Sequence, residues 1–240
     1  MGSTAERILL NCDIGERGPD NSTDLELMRW IDIANVACGG HAGDHVSVDA
    51  FRRRADEYGV IVTAHLSYPD REGFGRKRME IPVSALIASL EEQYALLPGV
   101  EMVKFHGALY NDGCRREDLA GELAGWLAHT PCTRVITLPD SALDKACRAV
   151  GIAVMAEAFA ERRYLVDPET GILSLVGRDR ADASIETVEE AVAQVERIVL
   201  RGEVATPARV VPVRADTVCI HSDSVIAIPL ARELARLVRR

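Results

Sequence analysis

The sequence predicts an α/β fold in which seven parallel strands, each followed by a helix, close into a β/α barrel. Two observations predict it. Short β-rich runs alternate with longer amphipathic stretches along the chain. No Pro-, Gly- or Ser-rich linker divides the 240 residues, and no repeat of fixed period is present, so the units belong to one domain spanning 1–240. An open doubly wound sheet satisfies the same alternation, but seven or eight undivided units favour the closed barrel.

Taken in order, the β-rich runs are Arg7–Cys12, Ile33–Cys38, Val60–His65, Glu101–Phe105, Arg134–Leu138, Ile152–Ala156 and Thr217–Ile220. The amphipathic stretches between them are clearest at Val48–Tyr58, Val83–Leu97, Glu117–Leu127, Ser141–Val150 and Ile185–Leu200. Pro82 sits at the opening of the second of these, and Asp140 after Pro139 is an N-cap candidate for the fourth. Gly59 and Gly151 stand just past helix ends, where a left-handed residue is wanted. Pro229 falls inside the expected last helix, which must start late or kink there. The stretch Ala160–Asp182 has no clear period and contains Asp167-Pro168 and Gly171, so it is expected to be a long loop.

Composition narrows the function classes. The chain is 48% hydrophobic and 27% charged, as in an ordinary globular protein, which excludes disordered, collagen-like and coiled-coil classes. With 28 Lys and Arg against 37 Asp and Glu, the formal charge is −9. That sign does not attract nucleic acid or an anionic membrane surface. The one local basic run, Arg71, Arg76, Lys77 and Arg78, reads first as a solvated loop. No stretch approaches the roughly 18 apolar residues of a membrane span. No secretory signal is read at the N-terminus, and the six cysteines form no C-x-x-C pair, so reduced thiols and a cytoplasmic location are expected.

The histidines carry the functional signal. Four of the six, His41, His65, His106 and His221, lie at or just beyond the C-terminal end of a predicted strand, as do Asp13, Glu16, Asp44 and Asp223. In parallel α/β folds those ends share one face, and that face holds the site. Side chains two apart on a strand point the same way, which pairs Asn11 with Asp13, Lys104 with His106, and Cys219 with His221. A single such histidine is usually structural; four at equivalent positions, with acids beside them, are hard to explain as caps. Imidazole and carboxylate also suit zinc-like ions. The i, i+4 pair His41 and His45 is a weak metal signal, because Gly43 makes an early helix doubtful and a loop ending in an Asp44 N-cap fits as well. A required metal is therefore not expected. No phosphate loop, dinucleotide fingerprint or G-x-S-x-G elbow is present in the sequence.

Several strand-end blocks resemble the LamB/YcsF family: Asn11-Cys-Asp-Ile-Gly-Glu16, Ala34-Asn-Val-Ala-Cys-Gly-Gly-His-Ala-Gly-Asp44 and Tyr68-Pro-Asp-Arg-Glu-Gly-Phe-Gly-Arg76. Val103-Lys-Phe-His-Gly-Ala-Leu-Tyr-Asn111, Glu157-Ala-Phe-Ala-Glu-Arg-Arg-Tyr164 and Ala215-Asp-Thr-Val-Cys-Ile-His221 extend the resemblance in order over essentially the whole chain. It implies a TIM-like barrel of the glycoside hydrolase/deacetylase type. It also implies the chemistry of 5-oxoprolinase, which opens 5-oxo-L-proline to L-glutamate with ATP as co-substrate, the family member acting with B and C subunits. The chain departs from the family pattern at His45, Leu66 and Phe105, where proline is usual. It also departs at Ser67 and Ser222, where glycine is usual, and at Ser224, a common asparagine. The acids and histidines are kept.

Charge and placement then assign roles for a small-molecule lactam. Asp13, His65 and His106 would position or deprotonate water, and Lys104 would stabilise the developing oxyanion. Arg76 would hold a substrate carboxylate, and Glu16, His41, Asp44, His221 and Asp223 complete the binding set. Two rivals stand beside this reading. One is a metal-dependent amidohydrolase or deacetylase that needs no ATP, with Asp13 and two of the histidines binding the ion. The other is a non-catalytic scaffold, which would tolerate alanine at His65 and His106.

Overall fold

The computed structural model describes residues 7–166, 173–178 and 180–238. Seven parallel strands close into a barrel: β1 (Leu9–Ile14), β2 (Ile33–Ala37), β3 (Ile61–Leu66), β4 (Met102–Phe105), β5 (Arg134–Thr137), β6 (Ala153–Phe159) and β11 (Thr217–His221). They neighbour one another in chain order, and β11 pairs with both β6 and β1. The β1–β11 register runs from Leu9 opposite Thr217 to Asp13 opposite His221. All seven expected strands are present. The largest error is at β6, which continues three residues beyond the predicted end at Ala156.

Helices surround the barrel: α1 (Ser22–Leu27), α2 (His45–Tyr58), α3 (Val83–Tyr94), α4 (Gly107–Arg115), α5 (Glu117–Leu127), α6 (Ala142–Ala149), α7 (Val188–Arg201) and α8 (Ala227–Val238). Local chemistry sets several ends. Gly59 terminates α2 at φ 67°. Ser141, not Asp140, caps α6: its side chain accepts from Asp144 N, while Asp140 takes φ 61°. Helix α8 starts at Ala227, which places Pro229 in the first turn, where its missing N–H costs nothing. Helices α1 and α4 have no counterpart in the sequence reading. The first is six residues long, and the second carries Gly107 and Gly113, which blunt the helical signal.

Part of the stretch expected to be a loop is instead a hairpin, β7 (Tyr164–Val166) against β8 (Leu173–Leu175). Asp167, Pro168 and Gly171 lie outside the described residues. A second small hairpin, β9 (Glu203–Ala205) with β10 (Val210–Pro212), follows α7.

The apolar faces of strands and helices form one large core between barrel and helix layer. A separate small cluster, Ile33, Met102, Ile136 and Met155 with Leu9 against it, fills the lower barrel interior. Two residues further along four of these five strands, the inward positions turn polar: Asn11, Asn35, Lys104 and Glu157, all buried. The barrel is thus plugged with hydrocarbon at its N-terminal end and lined with hydrogen-bonding groups toward its C-terminal end.

Candidate active site

Strand pleat and register bring Lys104 to the centre of the polar layer. Its Nζ lies 2.8 Å from Glu157 Oε1, 3.0 Å from Asp13 Oδ1, 3.2 Å from Asn11 Oδ1 and 3.2 Å from Cys219 Sγ. Burial opposes its charge, but Asp13 and Glu157 hold the ammonium well above the usual lysine range. Burial likewise opposes ionisation of Asp13, yet His65 and Lys104 hold that carboxyl well below its usual range. Asn35 Nδ2 donates to Asp13 Oδ1 at 2.9 Å and to Asn11 Oδ1 at 2.8 Å, fixing both. The expected pairing of Asn11 with Asp13 on the barrel interior follows from these contacts.

Above this layer three histidines meet, each delivered by a different strand end. His65 is the penultimate residue of β3, His106 follows β4, and His41 follows β2. His65 Nε2 is 3.0 Å from His106 Nδ1 and 3.3 Å from Asp13 Oδ2. The His41 and His106 rings stack at 3.7 Å, parallel within 1°. His41 Nε2 is 3.0 Å from Glu16 Oε1, which is itself 3.4 Å from His106 Nδ1. Burial lowers the pKa of both His41 and His106, so neutral rings are favoured there.

The loop over the histidines depends on two glycines. Gly75 adopts φ 61°, and a Cβ there would meet His41 Cβ at 3.0 Å and His106 Cδ2 at 3.1 Å. Gly107 adopts φ 57°, and its Cβ would collide with Gly75 O at 2.4 Å. This close approach lets the Phe74 carbonyl lie 3.0 Å from His106 Nε2.

These groups open into a cavity of about 510 Å³ lined by Asp13, His65, Lys104, His106 and His221, with Arg76, Arg115 and Arg178 toward the outside. Of the residues expected at the site, Glu16 and His41 stand behind His106 rather than on the cavity wall. Asp223 is at the rim, bonded to Arg76 Nη2 at 2.7 Å. Asp44 is a correction. It is exposed, and its carboxylate accepts from Ser47 N as the cap of α2, with Ser47 returning the bond, so it is spent on the helix and does not face the cavity. His45, beside it, is exposed on α2, so the i, i+4 histidine pair does not form.

Sequence reasoning passed over Glu157 and Glu161. Glu161 Oε1 accepts from both the backbone N and Nδ1 of His221 at 2.7 Å, orienting that ring. A signal for Glu157 existed in the alternation Met155, Glu157, Phe159, which ending the strand at Ala156 cut off.

A closed parallel barrel with buried acids, a buried lysine and histidines at its C-terminal mouth defines a β/α-barrel protein with an enzyme-type site. The chain belongs to the LamB/YcsF family, whose sequence model matches residues 8–240. It is 37% identical over 239 residues to the 5-oxoprolinase A chain of Neisseria meningitidis serogroup A, covering 95% of this chain and 94% of that one. It is 36% identical over 241 residues to the 5-oxoprolinase A chain of Histophilus somni, covering 96% and 94%. A solved structure, the lactam utilization protein of Thermus thermophilus, superimposes with a TM-score of 0.79 at 34% identity, covering 97% of this chain and 94% of that one.

Proposed function

We propose that this chain is the ring-opening component of a 5-oxoprolinase. It would hydrolyse the lactam of 5-oxo-L-proline to L-glutamate with ATP as co-substrate and with B and C subunits as partners. The observation that carries this reading is the buried Asp13–Lys104–Glu157 cluster meeting His65 and His106 at the floor of a cavity with arginines outside. A small cyclic amide bearing a carboxylate needs that combination, and the names of the relatives support it.

An unactivated lactam is a poor electrophile, so phosphorylation of its oxygen by ATP makes the ring carbon open to attack. Water then adds to carbon and the C–N bond breaks, the nitrogen leaving with a proton; the acyl phosphate so formed is hydrolysed by a second water to glutamate and inorganic phosphate. Asp13, His65 and His106 are placed together to position the water and take its proton, Asp13 lying 3.3 Å from His65 and His65 3.0 Å from His106. Lys104 supplies the fixed positive charge beside the developing oxyanion. Arg76 and Arg178, both held by Asp223, form the rim that receives the substrate carboxylate. The sequence has no phosphate loop, so the nucleotide is assigned to the partners.

Reconstitution tests this. The chain mixed with B- and C-type subunits, ATP and 5-oxo-L-proline should release glutamate, and the chain alone should not. His106→Ala should lower the rate by about 10²-fold or more, the range for losing a general base. Glutamate made by the isolated chain would remove the need for partners. An assembly inert on 5-oxoproline but active on another lactam would point to Leu66, Ser67 and Phe105 as specificity changes. A second reading, hydrolysis of a related lactam or amide without ATP, is favoured by the convergence of three histidines, and omitting ATP from the same assay separates the two.

A further inference from the structure

We propose that Glu16, His65 and His106 form a binding site for one divalent transition-metal ion at the inner end of the cavity, with His41 holding Glu16 from behind. The argument starts from protons. His65 Nδ1 lies 3.2 Å from the Lys104 carbonyl oxygen, and a carbonyl only accepts, so Nδ1 carries the hydrogen. The same reasoning at Phe74 O places the hydrogen of His106 on Nε2. The nitrogens left over, His65 Nε2 and His106 Nδ1, face each other across 3.0 Å. The nearest other groups, Asp13 Oδ2 and Glu16 Oε1, are carboxylate oxygens. Four acceptors face one point, and an arrangement of that kind repels itself unless a cation or an added proton sits among them.

Geometry and charge favour the ion. A metal–nitrogen bond of about 2.0–2.1 Å places neighbouring ligands of a tetrahedron roughly 3.3 Å apart. The separations here are 3.0 Å for His65–His106 and 3.4 Å for His106–Glu16, and these donors lie within 4.8 Å of one another; His41, stacked parallel on His106, cannot share the ion in its own ring plane and instead meets Glu16 at 3.0 Å. Asp13, Glu16 and Glu157 bring three carboxylates to the cluster against the single ammonium of Lys104, leaving two negative charges for a divalent ion to balance. Imidazole with carboxylate suits zinc, manganese, iron, cobalt or nickel rather than calcium or magnesium. A second trio, Asp13, Cys219 and His221, is close enough to ligate, but Lys104 Nζ already lies against its carboxylate and thiol. It is not a metal site.

The inference rests on donor positions, not on the lactam reading, and the expectation from sequence that metal is not required is revised by it. There the sets considered were His41 with His45, and Asp13 with two of the histidines; the donors that converge here are Glu16, His65 and His106, from the ends of three strands.

The test is binding, measured without turnover. Chelator-stripped protein is titrated with Co²⁺ and with Zn²⁺ by calorimetry, and the Co²⁺ form is read by visible absorption. One ion per chain should bind, with the intense ligand-field bands of a low-coordinate site. Glu16→Gln and His65→Ala should each weaken binding at least about 100-fold, since even outer-shell changes cost about 10–100-fold. His129→Ala, exposed and outside the cluster, should bind as the parent does. Near-ultraviolet circular dichroism checks folding, and the isosteric Glu16→Gln keeps the test open if His65→Ala unfolds. The proposal is overturned if stripped protein takes up no stoichiometric Co²⁺, Zn²⁺ or Mn²⁺, or if both variants bind like the parent. It is equally overturned if nitrogen NMR of metal-treated protein shows His65 as an imidazolium, a proton then filling the gap. Failure on glutamate release with binding intact would strike the lactam reading alone.

Discussion

Lys104 keeps a full charge at 2% exposure because two carboxylates and an amide oxygen replace its water. Such a group is costly to remove rather than merely useful to have. Lys104→Met would leave Asp13 and Glu157 buried without their counter-charge, and breaking a buried pair this way costs about 3–5 kcal/mol. Urea denaturation should show a loss of that size, and adding Glu157→Gln should recover part of it, the non-additivity marking direct coupling. Purely additive losses would mean that the two residues do not interact.

At the scale of single elements, the start of α2 and the loop before Arg76 make opposite demands. Asp44 caps α2 with Ser47, and hydrogen bonds from the Ser47 backbone hold its carboxyl below the ordinary range. Asp44→Ala should cost about 1 kcal/mol at pH 7 and leave catalysis intact. A folded pKa below the unfolded value of about 3.9 means that the cap's ionic contribution is present above that value. It is lost as pH falls through the folded pKa, so the gap between parent and variant in thermal melts should narrow in that direction. A large loss of activity instead would return Asp44 to the binding set. Gly75 is set by the tertiary fold. Its φ of 61° and contacts of 3.0–3.1 Å to two site histidines leave no room for a methyl group. Gly75→Ala should destabilise by about 1 kcal/mol or more and perturb the histidines, read as shifted imidazole resonances.

Over the whole molecule, burial silences the thiols. All six cysteines are free and buried, and burial pushes Cys38 and Cys147 up to about 12 and Cys132 up to about 11. At pH 8 a thiol reagent should find no fast-reacting group in the folded chain and all six after denaturation. A rapidly reacting thiol in native protein would show that this face of the core opens. Among the described residues, no helix is long and apolar enough to cross a membrane.

Much of this architecture is local and was readable in the sequence. The β-rich runs Arg7–Cys12 and Val60–His65 locate strands, and Gly59 and Pro229 mark helix limits, because backbone sterics act within a few residues. The same locality explains what was missed. Helix α4 is held by packing against α5 and α6 despite Gly107 and Gly113, and β6 runs on to Phe159 because β11 pairs with its last three residues, a partner that no window of sequence contains. Strand ends told which acids and histidines share a face. They did not tell that Asp44 would be spent on a cap or that Glu157 would reach Lys104. By itself, then, the sequence determined the order of strands, the face of the barrel on which these acids and histidines gather, and the family. Only closure of the barrel decided which atoms meet: His65 with His106 across 41 residues, Lys104 with Cys219 across 115, Asn11 with Thr217 across 206. Those distances are set by strand register and tilt summed around a closed sheet, a property of the whole ring that no single strand encodes.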